Sequence, residues 1–158
     1  MKKNNLLPGV AIGLLVILVI AAILSKDRLY EIIGNGMQQG NTAEEKFEAE
    51  KYIQNAFNYT VNKKDFTATL IEFKSTGCTI CKQMEPILEE IKMWDGAKVN
   101  VQVIQVMNPD SQELMKYFGI VAVPTHVLLN KKGDEVFRKY GFVPEEELKN
   151  VIQLKINI

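Results

Sequence analysis

The stretch Thr67-Ala68-Thr69-Leu70-Ile71-Glu72-Phe73-Lys74-Ser75-Thr76-Gly77-Cys78-Thr79-Ile80-Cys81 decides how the rest of this chain is read. Its first seven residues are rich in β-branched and aromatic side chains, which suit a pleated and buried surface, so they predict a strand. Glu72 interrupts the apolar run. Lys74 to Gly77 reads as a short turn. From Thr79 onward Ile80, Met84, Ile87, Leu88 and Ile91 recur at helical spacing. Pro86 falls inside that run and is expected to kink the helix beyond the cysteines.

Cys78 and Cys81 are the two cysteines of the chain. Three positions apart at a helix start, their thiols can join as a disulfide. The first sits where unpaired backbone N–H groups and the helix dipole favour a thiolate. A CxxC pair also suits half of a zinc site or a structural clip. Zinc needs four ligands, and only His126 could join the pair. Haem attachment needs a histidine directly after the second cysteine, where Lys82 stands. Dithiol exchange needs an accessible thiolate and a second thiol that resolves the mixed disulfide; in that reading Cys78 is the nucleophile and Cys81, one turn inward, the resolving thiol, with the structural clip as the alternative.

Downstream, Val99, Val101, Val103, Ile104 and Val106 predict a second, buried strand. Asn108-Pro109-Asp110-Ser111 is turn chemistry and a helix start, and Ser111 to Phe118 is a short helix ended by Gly119. The run from Ile120 to Leu129 is strand-like but contains Pro124, which belongs at a strand's first position or on an edge. Asn130 to Gly133 is a hairpin turn and Asp134 to Tyr140 a returning strand. Pro144 to Ile152 closes the chain as an amphipathic helix with three acids in its first turn. His126 is read as a packed strand residue outside the site.

From about Phe66 to Ile152 the motif order and spacing resemble the thioredoxin-like proteins. Glu72, six residues before Cys78, holds the place of the family's buried acid. Tyr117-Phe118-Gly119-Ile120 followed by Val123-Pro124-Thr125 is similar to the family's cis-proline loop, and Gly133 and Gly141 fall at its hairpin and late glycines. The resemblance implies an α/β fold with a mixed central β-sheet flanked by helices. It implies a proton-transfer role for Glu72 toward Cys81, and a cis Pro124 beside the cysteines. Val123, Pro124 and Thr125, with Gly77, Thr79 and Ile80, would then border the substrate. The motif departs from the common Trp-Cys-Gly-Pro-Cys. Gln102 stands where a lysine often accompanies the buried acid.

Leu6 to Leu24 carries no charge and is almost wholly apolar. At a rise of about 1.5 Å per residue it can cross a hydrocarbon core of roughly 30 Å. A cleaved signal peptide would look similar, but Ala21-Ala22-Ile23-Leu24 is a poor cleavage site. The expected organisation is a cytoplasmic tail over residues 1–5, a transmembrane anchor over 6–24, a juxtamembrane tether over 25–41 and a thioredoxin-like domain over 42–158. The tether could also supply a first strand. Lys2 and Lys3 favour a cytoplasmic N-terminus over a mild opposing bias from Lys26 and Arg28, which would face the domain outward from a bacterial cytoplasmic membrane. Thr42-Ala43-Glu44-Glu45 is a capping box that opens a helix.

Nineteen basic and nineteen acidic residues give no net charge, and no basic patch points to nucleic acid. Two cysteines are too few for a disulfide-built scaffold. The expected activity is reduction of protein disulfides by a monomer without bound cofactor, the redox-active disulfide Cys78–Cys81 being the working group. By family analogy a transmembrane electron donor would supply it, and cytochrome c maturation is one outlet. An oxidase or isomerase of the same fold, or a redox-silent adaptor binding extended peptides for export, are the competing readings.

Overall fold

The computed structural model describes residues 6–156, and side chains from Val10. Residues 1–5, with Lys2 and Lys3, lie outside the described residues. The elements run α1 (Leu6–Leu24), α2 (Lys26–Gln39), α3 (Ala43–Phe57), α4 (Tyr59–Asn62), β1 (Ala68–Lys74), α5 (Thr79–Met93), β2 (Val99–Gln105), α6 (Gln112–Phe118), β3 (Thr125–Leu129), β4 (Glu135–Tyr140) and α7 (Glu145–Lys155). A short 3₁₀ turn, Pro109–Ser111, leads into α6.

The strands form one mixed sheet in the order β2-β1-β3-β4. β1 runs parallel to β2 and antiparallel to β3, and β3 runs antiparallel to β4. Both β1 and β3 are covered on their two faces, which explains their near-continuous apolar sequences. On one face Leu70 and Leu128 pack with Met84, Leu88 and Ile91 of α5 and Leu148 and Ile152 of α7. On the other, Ile71, Phe73, Val127 and Leu129 pack with Ile53 and Phe57 of α3 and with Phe118. The expectation of a buried strand fails at β2. It is an edge strand, and Val103 is 47% exposed, because no strand lies beyond it among the described residues. Pro86 lies inside α5, which continues through it to Met93.

The capping box is formed. Thr42 Oγ1 accepts the Glu45 N–H, and Glu45 accepts the Thr42 N–H at 2.8 Å. Lys116 of α6 also reaches the Glu45 carboxylate, so this cap ties α3 to α6.

The segment between the apolar helix and the domain is helix, not strand. α2 is amphipathic, and it contributes no strand to the sheet. It docks on the domain by a backbone contact in which Gly34 is buried against Gly119, the left-handed C-cap of α6. A Cβ on Gly34 would stand 2.5 Å from the Gly119 carbonyl oxygen. Gln38 Nε2 donates to the Tyr117 carbonyl at 2.8 Å, and the Tyr30 ring lies 5.1 Å from that of Tyr140. The described apolar side chains of α1 are exposed. Among described residues no single helix is long and apolar enough to cross a membrane. The pair Val10–Leu24 and Lys26–Gln39, bent by 53°, is long and apolar enough when taken together, by length and composition alone.

Gly34→Ala should therefore break the docking of α2. The added methyl has nowhere to go but the Gly119 backbone, and overpacking of this kind costs about 1–3 kcal/mol. Limited proteolysis should cut near Gly40 and Asn41 faster in the variant, with β1 to α7 staying protected. Unchanged cleavage would mean that α2 is not held by this contact.

Candidate active site

β1 ends at Lys74 and the chain turns through Gly77, whose φ of +81° suits a residue without a Cβ. Cys78 then caps α5. Its Sγ accepts the Cys81 N–H at 3.1 Å, taking the place an oxygen holds in most helix caps. That N–H and the helix start would stabilise a thiolate on Cys78 once the pair is reduced. Cys78 and Cys81 are joined as a disulfide, with Cα atoms 5.3 Å apart. Cys78 is half-buried while Cys81 is 1% exposed, so one sulfur is open to a partner and the other is recessed. Thr79 and Ile80 between them are exposed. A cleft of about 180 Å³ runs past both cysteines, lined also by Lys74, Gly77, Lys82 and Glu85. Lys74 pairs with Glu85 at 2.7 Å, which holds the Glu85 carboxyl below its ordinary range.

The antiparallel pairing of β1 and β3 brings a second loop to the same end of the sheet. Phe73 pairs with Thr125, so the turn before Thr125 stands beside the turn after Lys74. The Val123–Pro124 peptide bond is cis. Thr125 Oγ1 donates to the Ala122 carbonyl at 2.7 Å, and the Gly141 N–H donates to the Pro124 carbonyl at 2.8 Å. Among the described residues Val123 takes no main-chain partner, and its side chain is half-buried. Pro124 and Thr125 are buried. Every residue expected at the site is thus placed on the cysteine loop, the start of α5, β1 or this proline loop.

Glu72 is fully buried in β1 and its carboxyl oxygens have no hydrogen-bond partner among the described residues. Burial pushes its pKa up to about 7; Lys74 pulls down and Glu85 pushes up by smaller amounts. Gln102 does not reach it. Its amide donates to Asn100 at 2.6 Å, within a chain running through Asn100 and the Tyr59 hydroxyl to Thr69. The neighbour that does face Glu72 is His126, its register partner on β3, with Nε2 3.8 Å from the carboxylate. His126 is also fully buried, and burial lowers its pKa to about 4. Motif order does not mark this residue as part of the site. The available signal is its place as the one titratable residue in an apolar strand, where a buried polar group requires a partner.

The arrangement supplies an accessible sulfur, a recessed sulfur and a buried acid that can change charge near neutral pH. No cluster of His, Cys, Asp and Glu able to hold a metal occurs among the described residues. The thioredoxin family model matches residues 48–154, and the chain belongs to that family. It is a thioredoxin-like disulfide oxidoreductase with an active-site cysteine pair. Bacillus subtilis thioredoxin is 32% identical over 83 residues, which is 52% of this chain and 77% of that protein. A mutant thioredoxin from Halobacterium salinarum superposes with a TM-score of 0.53 at 27% identity, over 61% of this chain and 80% of its own. The exposed lipoprotein thioredoxin Etrx1 of Streptococcus pneumoniae shares the fold at a TM-score of 0.51 and 17% identity, over 59% and 88% of the two chains.

Glu72 binds its proton more tightly in the fold than in the unfolded chain. Its effect on stability is absent below about pH 4.5 and grows as pH rises to about 7. At higher pH it destabilises the fold by up to about 3 kcal/mol. Glu72→Gln should remove that loss, so urea unfolding at pH 8 should show a more stable variant. Below pH 4.5 the two proteins should converge. A stability difference independent of pH would mean that Glu72 does not titrate in the fold.

Proposed function

We propose that this protein is a membrane-tethered reductase of protein disulfides whose domain works outside a bacterial cytoplasmic membrane. The observation that carries the reaction is the recessed Cys81 beside the open Cys78, at the sheet end that also holds Pro124. The Cys78 thiolate attacks one sulfur of a substrate disulfide. That S–S bond breaks, the first substrate sulfur leaves as a thiolate, and a mixed disulfide forms on Cys78. Cys81 gives its proton to the Glu72 carboxylate and attacks the Cys78 sulfur. The Cys78–Cys81 bond forms, and the second substrate thiolate leaves and takes a proton from water. The cysteine pair loses two electrons and the substrate gains them.

The free main chain of Val123 supports pairing with an extended substrate segment, bordered by Pro124, Thr125, Gly77, Thr79 and Ile80. The reducing direction is supported by Glu72, which can take the Cys81 proton near neutrality, and by the absence of a histidine between the cysteines. The uncharged apolar run Leu6–Leu24, which is long and apolar enough together with Lys26–Gln39, supports the anchor, with residues 25–41 connecting it to the domain over 42–158. The pneumococcal relative in fold is an exposed lipoprotein. A transmembrane electron donor would re-reduce the pair, and the protein would act as a monomer.

Cys81→Ser should accumulate mixed disulfides with substrates, whereas Cys78→Ser should trap none and reduce none. The reverse pattern would exchange the two roles. A potential near the thioredoxin value of about −270 mV supports reduction, and one near about −120 mV an oxidase. A purified full chain without turnover would leave a peptide-binding adaptor. In intact cells, a membrane-impermeant thiol reagent should label reduced Cys78. Labelling only after lysis would place the domain inside.

A further inference from the structure

Glu72 and His126 face each other across the β1–β3 pair. Each is fully buried, and neither side chain has a hydrogen-bond partner among the described residues. Directly paired residues of antiparallel strands share one sheet face, so their closeness follows from the register itself. The gap of 3.8 Å is slightly too long for a hydrogen bond, and a small side-chain rotation would close it. An unpartnered buried carboxyl and an unpartnered buried imidazole are each costly, and each supplies what the other lacks.

We propose that His126 is a positioning residue for the exchange reaction, which serves both protonation states of Glu72 by changing its own tautomer. Toward the protonated acid, the imidazole presents Nε2 as an acceptor. Toward the carboxylate it presents Nε2–H as a donor, its proton having moved from Nδ1. The imidazole stays neutral throughout, so no net charge is added to the core. When Cys81 gives up its proton, the proton stays on Glu72 with Nε2 accepting from it. When the pair is re-reduced, that proton returns to Cys81. The bond changes at sulfur are those of the reaction above.

The surroundings support this. Burial holds the imidazole unprotonated down to about pH 4, while Glu72 titrates near 7. On β4 the register partner of His126 is Lys139, whose ammonium pairs with Glu147 of α7. On β2 the residue opposite Glu72 is the uncharged Val103. The other charges acting on Glu72 are Lys74 on its own strand and Glu85 on α5, and these pair with each other. Gln102, at the place where a lysine could have served the acid, is uncharged and engaged by Asn100.

The inference rests on the roles given above to Cys81 and Glu72, and its first test does not use activity. His126 is the one histidine in the chain, so its ring nitrogens are read without assignment in ¹⁵N-histidine-labelled full-length protein held in detergent. The ring signals should report a change of tautomer as pH passes through the Glu72 titration, with no imidazolium formed. The change should be absent in Glu72→Gln. Ring signals constant through that range, or unaffected by Glu72→Gln, would overturn the proposal. The second test is kinetic. His126→Leu removes both bonds, of which the charge-assisted one to the carboxylate is the stronger, so the Glu72 titration should move up by about one pH unit. The carboxylate share at pH 7 then falls from about half to about one in eleven, and resolution of the mixed disulfide slows about fivefold. His126→Gln, whose amide both donates and accepts, should restore most of the rate. Equal pH–rate profiles for parent and both variants would make His126 a packing residue. Loss of reductase activity in the parent itself, with the tautomer change intact, would instead sink the proposed function and leave the pair standing.

Discussion

The antiparallel pairing of β1 with β3 is the constraint from which the site is built. β1 runs toward the cysteine loop and β3 runs away from the proline loop. Antiparallel pairing with Phe73 opposite Thr125 sets both loops at one end of the sheet. The same register places Glu72 opposite His126. A slip of one residue would turn Glu72 to the other face and remove its partner. The slip is resisted because both faces are packed. Leu70 and Leu128 belong to one core cluster, and Ile71, Phe73, Val127 and Leu129 to the other.

That double packing also sets the chemistry of the acid. A strand covered on both faces offers no water to a carboxylate, so a glutamate there is driven toward its neutral form. The fold accepts a local loss of stability at neutral and higher pH in exchange for an acid that gains and loses a proton in that range. The histidine opposite is subject to the same burial with the opposite sign: its pKa falls where that of Glu72 rises, so each is driven toward its neutral form in the core.

The helix Lys26–Gln39 adds an element on the rim of the same end of the sheet. Gly119 ends α6 in a left-handed conformation, and Gly34 meets it without side chains on either residue. Two glycines permit backbone contact where any other pair would hold the helix away. Tyr30 of this helix meets Tyr140, the register partner of Thr125. The segment leading from the apolar helix is therefore fastened close to the proline loop.

Much of this was legible along the chain. The CxxC pair, the capping box at Thr42, the glycine ending α6 and the hairpin at Asn130 to Gly133 are local signals, set by the backbone geometry of a few neighbouring residues. Glu72 was legible as an acid in an apolar strand. Tertiary structure alone decided three things. It made β2 an edge, because strand order is a long-range property. It turned residues 26–39 into a helix docked on Gly119, because that contact joins glycines distant in sequence. And it put His126 against Glu72, because a cross-strand neighbour depends on register. Periodicity within a strand reports which face a residue occupies, and only the pairing of two strands decides what stands opposite it.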